Sequence, residues 1–595
     1  MEQRNLLIAV VLSLGILLSF QSFYDYHYPA PADVLPHQET AVAVPGTPAT
    51  GSANAVPAPG VGTGAVSAPA SVASGLEVGG PLAGGLDRGT ALATDARIVI
   101  DSSRVRGSVR LKGGRLDDIA LKAYRETTDP SSAEIVLFQP SGTALPYYAE
   151  FGWVVGAGDV AMAVPNADTL WQADAATLTP EKPLVLRWKN GQGLEFTRQI
   201  ALDDTYLFTV TDSVRNVAAA PLTLYPYGLV SRTGTPETQG FFILHEGLLG
   251  VFDQTLEEVD YDDLQETPDM VRNSQGGWIG ITDKYWLAAL IPDQGVENHY
   301  RFTHRLATGR DKYQVDFRGA ALALPAGGVI ESVTRLFIGA KEVRLLDGYG
   351  ENLNIPLFDR AVDFGWFYFL TKPIFYLLDY MNQLIGNFGL AILALTVLIK
   401  LVFFPLANKS YRSMSKMKLL QPKVVELRAR LKDDRPRMNQ EMMELYKREK
   451  INPLAGCLPV LIQLPVFFSL YKVLFVTIEM RHAPFYGWIR DLSAPDPTSL
   501  FNLFGLIPWT PPDFLHLGIW PILMGITMWA QFKLNPPPAD PIQAKLFQFM
   551  PLVFTFLLAN FPAGLVIYWA WNNVLSIAQQ WVILRKTTRE AAEKS

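Results

Sequence analysis

Lys400 stands out chemically, because the stretch 391–404 around it is otherwise apolar apart from Thr396. A cation at the centre of a membrane span costs about 2.5–3.5 kcal/mol on insertion scales and usually marks function. Two readings fit it. Its ammonium snorkels to headgroups about two turns away, or it faces a wet cavity between helices, where its field is weakly screened. Gln463, Lys472, Gln531, Asn572, Asn573 and Ser576 also interrupt apolar runs. Each amide alone is explained by helix-to-helix hydrogen bonding; polar groups on several segments together point to a shared polar cavity. No carboxylate accompanies Lys400 within these runs, as a proton relay would require. HExxH, GxSxG and P-loop patterns are missing. The chain therefore reads as non-enzymatic, with no catalytic residue, metal site or cofactor expected.

The elements that position these residues divide the 595-residue chain in two. Residues 24–360 hold 26 Lys and Arg against 41 Asp and Glu, in short alternating apolar runs. After residue 383 come apolar runs of spanning length separated by short, mostly basic loops. The single cysteine, Cys457, excludes intrachain disulfides.

Residues 1–5 precede an apolar run at 6–23, read as a retained membrane anchor, with a cleaved signal peptide as the alternative. The segment 24–91 is a tether: from 29 to 87 it has no Lys, Arg or aromatic residue and is dominated by Ala, Pro, Gly and Val. Runs near 97–100, 108–111, 184–188 and 206–210 alternate like strands, and Asn190-Gly191 signals a two-residue hairpin. An exported antiparallel β-sandwich is expected over 92–345. The acidic stretch 257–269 lacks the glycine and spacing of a calcium loop and reads as a solvated loop.

Beyond it, 346–383 mixes aromatics, charges and Pro373, the pattern of an amphipathic helix in the membrane interface. Spans are expected at 384–406, 454–476 and 515–534. The run from 549 to 584 is too long for one span. Charge decides its path: 409–450 carries 13 basic and 6 acidic residues, 477–514 carries 2 and 4, and the tail at 585–595 is basic. Both ends of the run are then inside, so it must turn back at Asn560-Phe561-Pro562-Ala563-Gly564. This gives a short fifth span at 547–560 and a sixth at 563–584, joined to the fourth by a cytosolic loop at 535–546. The fold class is a multi-pass α-helical membrane protein of six spans with both termini in the cytosol.

The cytosolic segment 407–453 has its own pattern. Met414, Met417, Leu420, Val424, Leu427 and Leu431, then Met438, Met442 and Leu445, recur at helical spacing. They predict an antiparallel helical hairpin with a Met-rich seam and a basic surface that includes Lys418. Met adapts to varied partners; equally, the charges alone can serve to fix topology.

At these residues the sequence resembles the YidC family of membrane protein insertases, relatives of the mitochondrial and chloroplast insertases. The resemblance spans 361–586. It rests on Lys418-Leu-Leu-Gln-Pro-Lys423, Asn452-Pro-Leu-Ala-Gly-Cys-Leu-Pro459 with Gln463 and Pro465, and Phe561-Pro-Ala-Gly-Leu565. The anchor and exported β-domain are similar to the Gram-negative form, which resides in the inner membrane with the large domain in the periplasm. Many members carry Arg where Lys400 stands and Gly where Ala455 stands. Lys keeps the charge but loses the planar fork.

The resemblance implies a five-span insertase core with a hydrophilic groove open to cytosol and lipid. Lys400 would supply its charge, and Thr396, Gln463, Gln531 and Asn572 its polar lining. A client helix would slide along the third and fifth spans, with Pro465, Phe468 and Trp569 as slide residues. Met414, Met417, Lys418, Met438 and Met442 would make hairpin contacts. Expected partners are nascent membrane-protein clients, the Sec translocon (SecYEG) with SecDF, the ribosome and membrane lipids. Insertion, folding and assembly would proceed both alone and with Sec. A secondary transporter would instead show inverted repeats, and a structural envelope-assembly factor would tolerate an apolar core.

Overall fold

The computed structural model describes residues 85–592 apart from 157–161, 239–243, 308, 432–433, 450–457, 506, 508, 510–511, 513–515 and 536–540. The anchor at 6–23 and most of the tether lie outside the described residues.

From Arg97 to Ala340 the chain forms two facing sheets of 11 and 9 strands. Alternation drives the fold: Leu194–Leu202 buries every second residue at its inner face. The two inner faces share one apolar core that includes Phe196, Phe208, Trp278, Phe302 and Phe337. Arg198 lies in it almost fully buried, donating to both Asp212 oxygens at 2.7 and 3.1 Å and to the Phe151 carbonyl at 2.7 Å. A buried charge persists only when paired and hydrogen-bonded, and this one is.

Four details depart from expectation. The sandwich is not wholly antiparallel, because Arg97–Asp101 pairs in parallel with Thr177–Leu178. The Asn190 hairpin is longer than two residues: Lys189 pairs with Glu195, and the Asn190 side chain accepts from the Gln192 and Leu194 amides, stabilising the wider turn. The acidic stretch is ordered. It continues strand Thr255–Val259 into helix Tyr261–Glu266, which buries Tyr261 and Leu264, while Glu257 pairs with Arg272 at 2.6 Å. The end of the tether, 85–91, docks on the sandwich: Leu86 pairs with Thr143, and Arg88 forms an ion pair with Asp118.

In chain order the helices are α1 Arg88–Leu92, α2 Tyr261–Glu266, α3 Val343–Asn352, α4 Tyr368–Ile385, α5 Phe388–Val402, α6 Phe404–Leu419, α7 Gln421–Arg430, α8 Arg435–Arg448, α9 Leu458–Val476, α10 Ile519–Leu534, α11 Pro541–Leu557 and α12 Ala563–Ala592. The single interfacial helix expected over 346–383 is two helices, α3 and α4, separated by a short 3-10 turn, Phe358–Ala361. α4 runs through Pro373 and leaves Phe369, Tyr380 and Leu384 exposed.

No single helix among the described residues is long and apolar enough to cross a membrane; α5 and α6 pass together but are bent by 70°. α11 begins six residues before the expected fifth span, and its 17 residues reach about 25 Å. It ends at Leu557 and α12 starts at Ala563, so the break falls at the expected turn.

The basic segment contains three helices, not two, because Pro422 sits at the start of α7 and separates it from α6. α7 and α8 lie antiparallel, with Lys423 against Glu449 at 3.3 Å and Arg430 against Glu441 at 2.5 Å. Leu420, Val424 and Leu445 are buried there, whereas Met414, Met417, Met438 and Met442 are half-buried.

Candidate functional site

Thr396 and Lys400 are one helical turn apart on α5. Thr396 is buried, and its hydroxyl donates to the Ile392 carbonyl of its own helix at 2.7 Å. Lys400 is turned inward: Nζ donates to Ser576 Oγ on α12 at 2.8 Å. Ser576 in turn donates to the Asn572 carbonyl at 2.8 Å. Among the described residues no carboxylate pairs with Lys400.

α12 organises the rest because Tyr568, Asn572 and Ser576 recur every four residues on one face. The Tyr568 hydroxyl accepts from Gln463 Nε2 on α9. Asn572 Oδ1 is buried without a hydrogen-bond partner in the protein, as are Gln579 Nε2, Gln580 Oε1 and Ser469 Oγ. Unpaired polar atoms at such depth are costly, and here they are spread along α9 and α12. Asn573 faces the other way, donating to Thr527 on α10 at 3.2 Å. Gln531, one turn beyond Thr527, is half-buried.

Not every expected residue joins this group. Lys472 does not: it points to the opposite end of α9 and pairs with Asp363 at 2.8 Å. Pro465 lies within α9 and Phe468 is exposed beside it. Trp569 belongs to α12, the last helix, and wedges between Phe467 of α9 and Phe554 of α11 at centroid distances of 4.8 and 5.4 Å. Tyr568, Ser469, Gln579 and Gln580 were missed in the sequence. The four-residue recurrence along 568–580 was the available signal.

The outer surface completes the arrangement. Val397, Leu401 and Val402 on α5, Ile526 and Trp529 on α10, and Leu552, Val553 and Phe556 on α11 are exposed. Apolar exposure on several helices marks surfaces that meet a membrane or a protein partner.

Comparison with known proteins decides what carries such a bundle. Residues 97–377 match the family described as YidC periplasmic domain, and 380–590 match the 60Kd inner membrane protein family. The chain is 53% identical to the membrane protein insertase YidC of Methylobacterium sp. (strain 4-46), covering 98% of this chain and 95% of that one. The chain belongs to the YidC family of membrane protein insertases. The same-named protein of Methylorubrum extorquens (strain PA1) is 52% identical over 98% and 95% of the two chains. A solved active YidC insertase covers 82% of this chain and 92% of its own at 18% identity, with a TM-score of 0.34. In YidC terms the sandwich is the periplasmic domain, and the chain from α5 into α12 is the part matched to the 60Kd inner membrane protein family. The transporter and scaffold alternatives lose their footing with this assignment.

Proposed function

We propose that this protein inserts and folds integral membrane proteins by offering their acidic exported segments a positively charged polar groove between α5, α9 and α12. The observation that carries the reading is Lys400, bonded to Ser576 and free of any carboxylate among the described residues. A partly desolvated ammonium exerts a long-reaching field, and the unpaired atoms of Asn572, Gln579 and Gln580 give water and client backbone something to bond. Exposed Phe468 offers an apolar path beside the groove. The client's own helix then partitions into lipid by burial of apolar surface, so no covalent step or nucleotide enters.

The charge distribution supports six spans with both termini inside, 24–360 and 477–514 in the periplasm, and 409–450 in the cytosol. The basic hairpin suits ribosomal RNA or nascent chain, and the exposed membrane face leaves room for the Sec translocon and SecDF. The test is insertion of a small single-span client into liposomes containing only this protein. Insertion should exceed that of empty liposomes and fall when the client's exported Asp residues are replaced by Lys. Indifference to that change would remove the electrostatic groove while leaving insertase activity intact.

A further inference from the structure

A cleft of about 690 Å³ opens where the sandwich meets the loop between α9 and α10. On one side are Arg125 and the turn ending strand Arg115–Arg125, with Asp129; on the other are Arg481, His482 and Arg490. The two sides are fixed to each other: Arg481 donates to the Arg125 carbonyl at 2.6 Å and stacks 5.5 Å above Trp286. Arg125 keeps its place by donating to the Ser132 carbonyl at 2.7 Å.

The balance of charge is unusual. No carboxylate among the described residues pairs with Arg125, Arg481, His482 or Arg490. The nearby acids make their direct bonds to serines: Asp129 accepts from the Ser131 amide and hydroxyl, and Asp491 from the Ser493 amide and hydroxyl while acting on Arg481 and His482 only through space. In a region that is acidic overall, three guanidiniums border one cleft that holds the single carboxylate of Asp129, and among the described residues none of the three is held in an ion pair, which leaves a ready anion site.

The position of the cleft identifies the anion. Pro484 lines it, and its carbonyl accepts from Asn387, the residue capping α5, at 3.3 Å. The neighbouring Phe485 ring packs so closely on α5 that a Cβ at Gly389 would lie 2.0 Å from it, and it contacts Trp520 at the start of α10. The cleft therefore sits at the outer ends of two bundle helices. Tyr486 and Trp488, exposed in the same loop, are aromatics of the kind that rest at headgroup level.

We infer that this cleft holds the phosphodiester headgroup of an anionic phospholipid in the periplasmic leaflet, bridging sandwich and bundle through it. The inference rests on the outside placement of 477–514. The guanidiniums of Arg490 and Arg125 would share the phosphate oxygens, Arg481 would hold the walls together, and Tyr486 and Trp488 would border the acyl chains.

Native mass spectrometry of the full-length protein in neutral detergent tests this independently of sidedness. Phosphatidylglycerol should be retained at concentrations where phosphatidylcholine is not. Arg490→Glu and Arg490→Gln should weaken retention about tenfold, the loss of one charge-assisted bond, while Arg490→Lys keeps most of it. Equal retention by wild type and Arg490→Glu, in protein with unchanged thermal unfolding, would overturn the site. Displacement of the lipid by equimolar inorganic phosphate would overturn the lipid as its ligand. Displacement by an equimolar acidic peptide would overturn it in favour of a client segment.

Discussion

Lys472 Nζ lies 2.8 Å from Asp363 Oδ2, joining α9 to the segment that leads out of the sandwich. The same carboxylate accepts from the His245 amide at 3.2 Å and the Gly365 amide at 2.9 Å. Gly365, at φ +69°, leaves room for the lysine stem, since a Cβ there would sit 2.8 Å from Lys472 Cε. Both side chains are largely buried, so removing one partner strands the other. Lys472→Met should destabilise the protein by about 3 kcal/mol, measured by unfolding in detergent with tryptophan fluorescence. The double variant with Asp363→Asn should cost clearly less than the two single losses added together. Simple additivity would mean the pair contributes no coupling.

Glu479 gives a pH test of the same junction. Its Oε1 accepts from the Val343 amide at the start of α3 at 3.0 Å, while Oε2 is buried and unpartnered. Burial pushes its carboxyl up to about 7. Between the ordinary carboxylate value and about 7, the folded protein holds a proton that the unfolded chain has released, so this group's contribution falls as pH rises through that window. Lys284 and Lys341, which burial pulls down to about 8, change charge only above it. Glu479→Gln should therefore raise the unfolding temperature at pH 7.5 relative to wild type and change it little at pH 4.5, where both side chains are neutral when folded. A constant difference at every pH would exclude titration of Glu479.

Much of this fold was legible because periodicity reports burial directly. Strands such as Leu184–Lys189 and Leu207–Asn216 followed from alternation, and the break before α12 from Pro562. What was not legible depends on side-chain reach across the fold. Asn190 widened its own turn by bonding two amides, which no propensity rule encodes. Lys472 read like Lys400 because both interrupt apolar runs, yet one meets Asp363 and the other Ser576. Tyr568 looks like an ordinary aromatic in the sequence, because only the fold brings Gln463 to its hydroxyl.

Six spans predict a labelling pattern. In a Cys457→Ser background, cysteines placed at 490 and 502 should react with a membrane-impermeant maleimide in intact spheroplasts. Cysteines at 430 and 590 should react only after permeabilisation. A residue 590 labelled from outside would remove one crossing and the pairing of the fifth and sixth spans with it.

The hairpin should separate stability from recognition. Leu420, Val424 and Leu445 are buried in it, so Val424→Ala and Leu445→Ala should each loosen its helices, raising protease sensitivity between 420 and 448. Replacing Met414, Met417, Met438 and Met442 together by Leu keeps burial and should leave that sensitivity unchanged. If the hairpin meets nascent chains, photo-crosslinks from Lys418 and from exposed Met443 should capture client or ribosomal protein during synthesis, and should decline in the four-Leu variant. A blank from both sites in wild type would leave the charges with topology alone.

The Lys400 series tests the groove itself. If the ammonium acts as a field, charge matters and geometry matters less, so Lys400→Arg should retain insertion despite its different donor geometry. Lys400→Gln can still bond Ser576 but carries no charge; its loss should grow with the number of Asp residues a client must export. Lys400→Glu should abolish insertion of acidic clients and spare neutral ones. Ser576→Ala separates position from charge: it removes the 2.8 Å bond but leaves the cation, and should reduce insertion less than Lys400→Gln does. The measurement is insertion yield for clients differing only in exported Asp count. Equal losses across that series for Lys400→Gln would mean that Lys400 serves packing with α12, and that the groove attracts its clients without it.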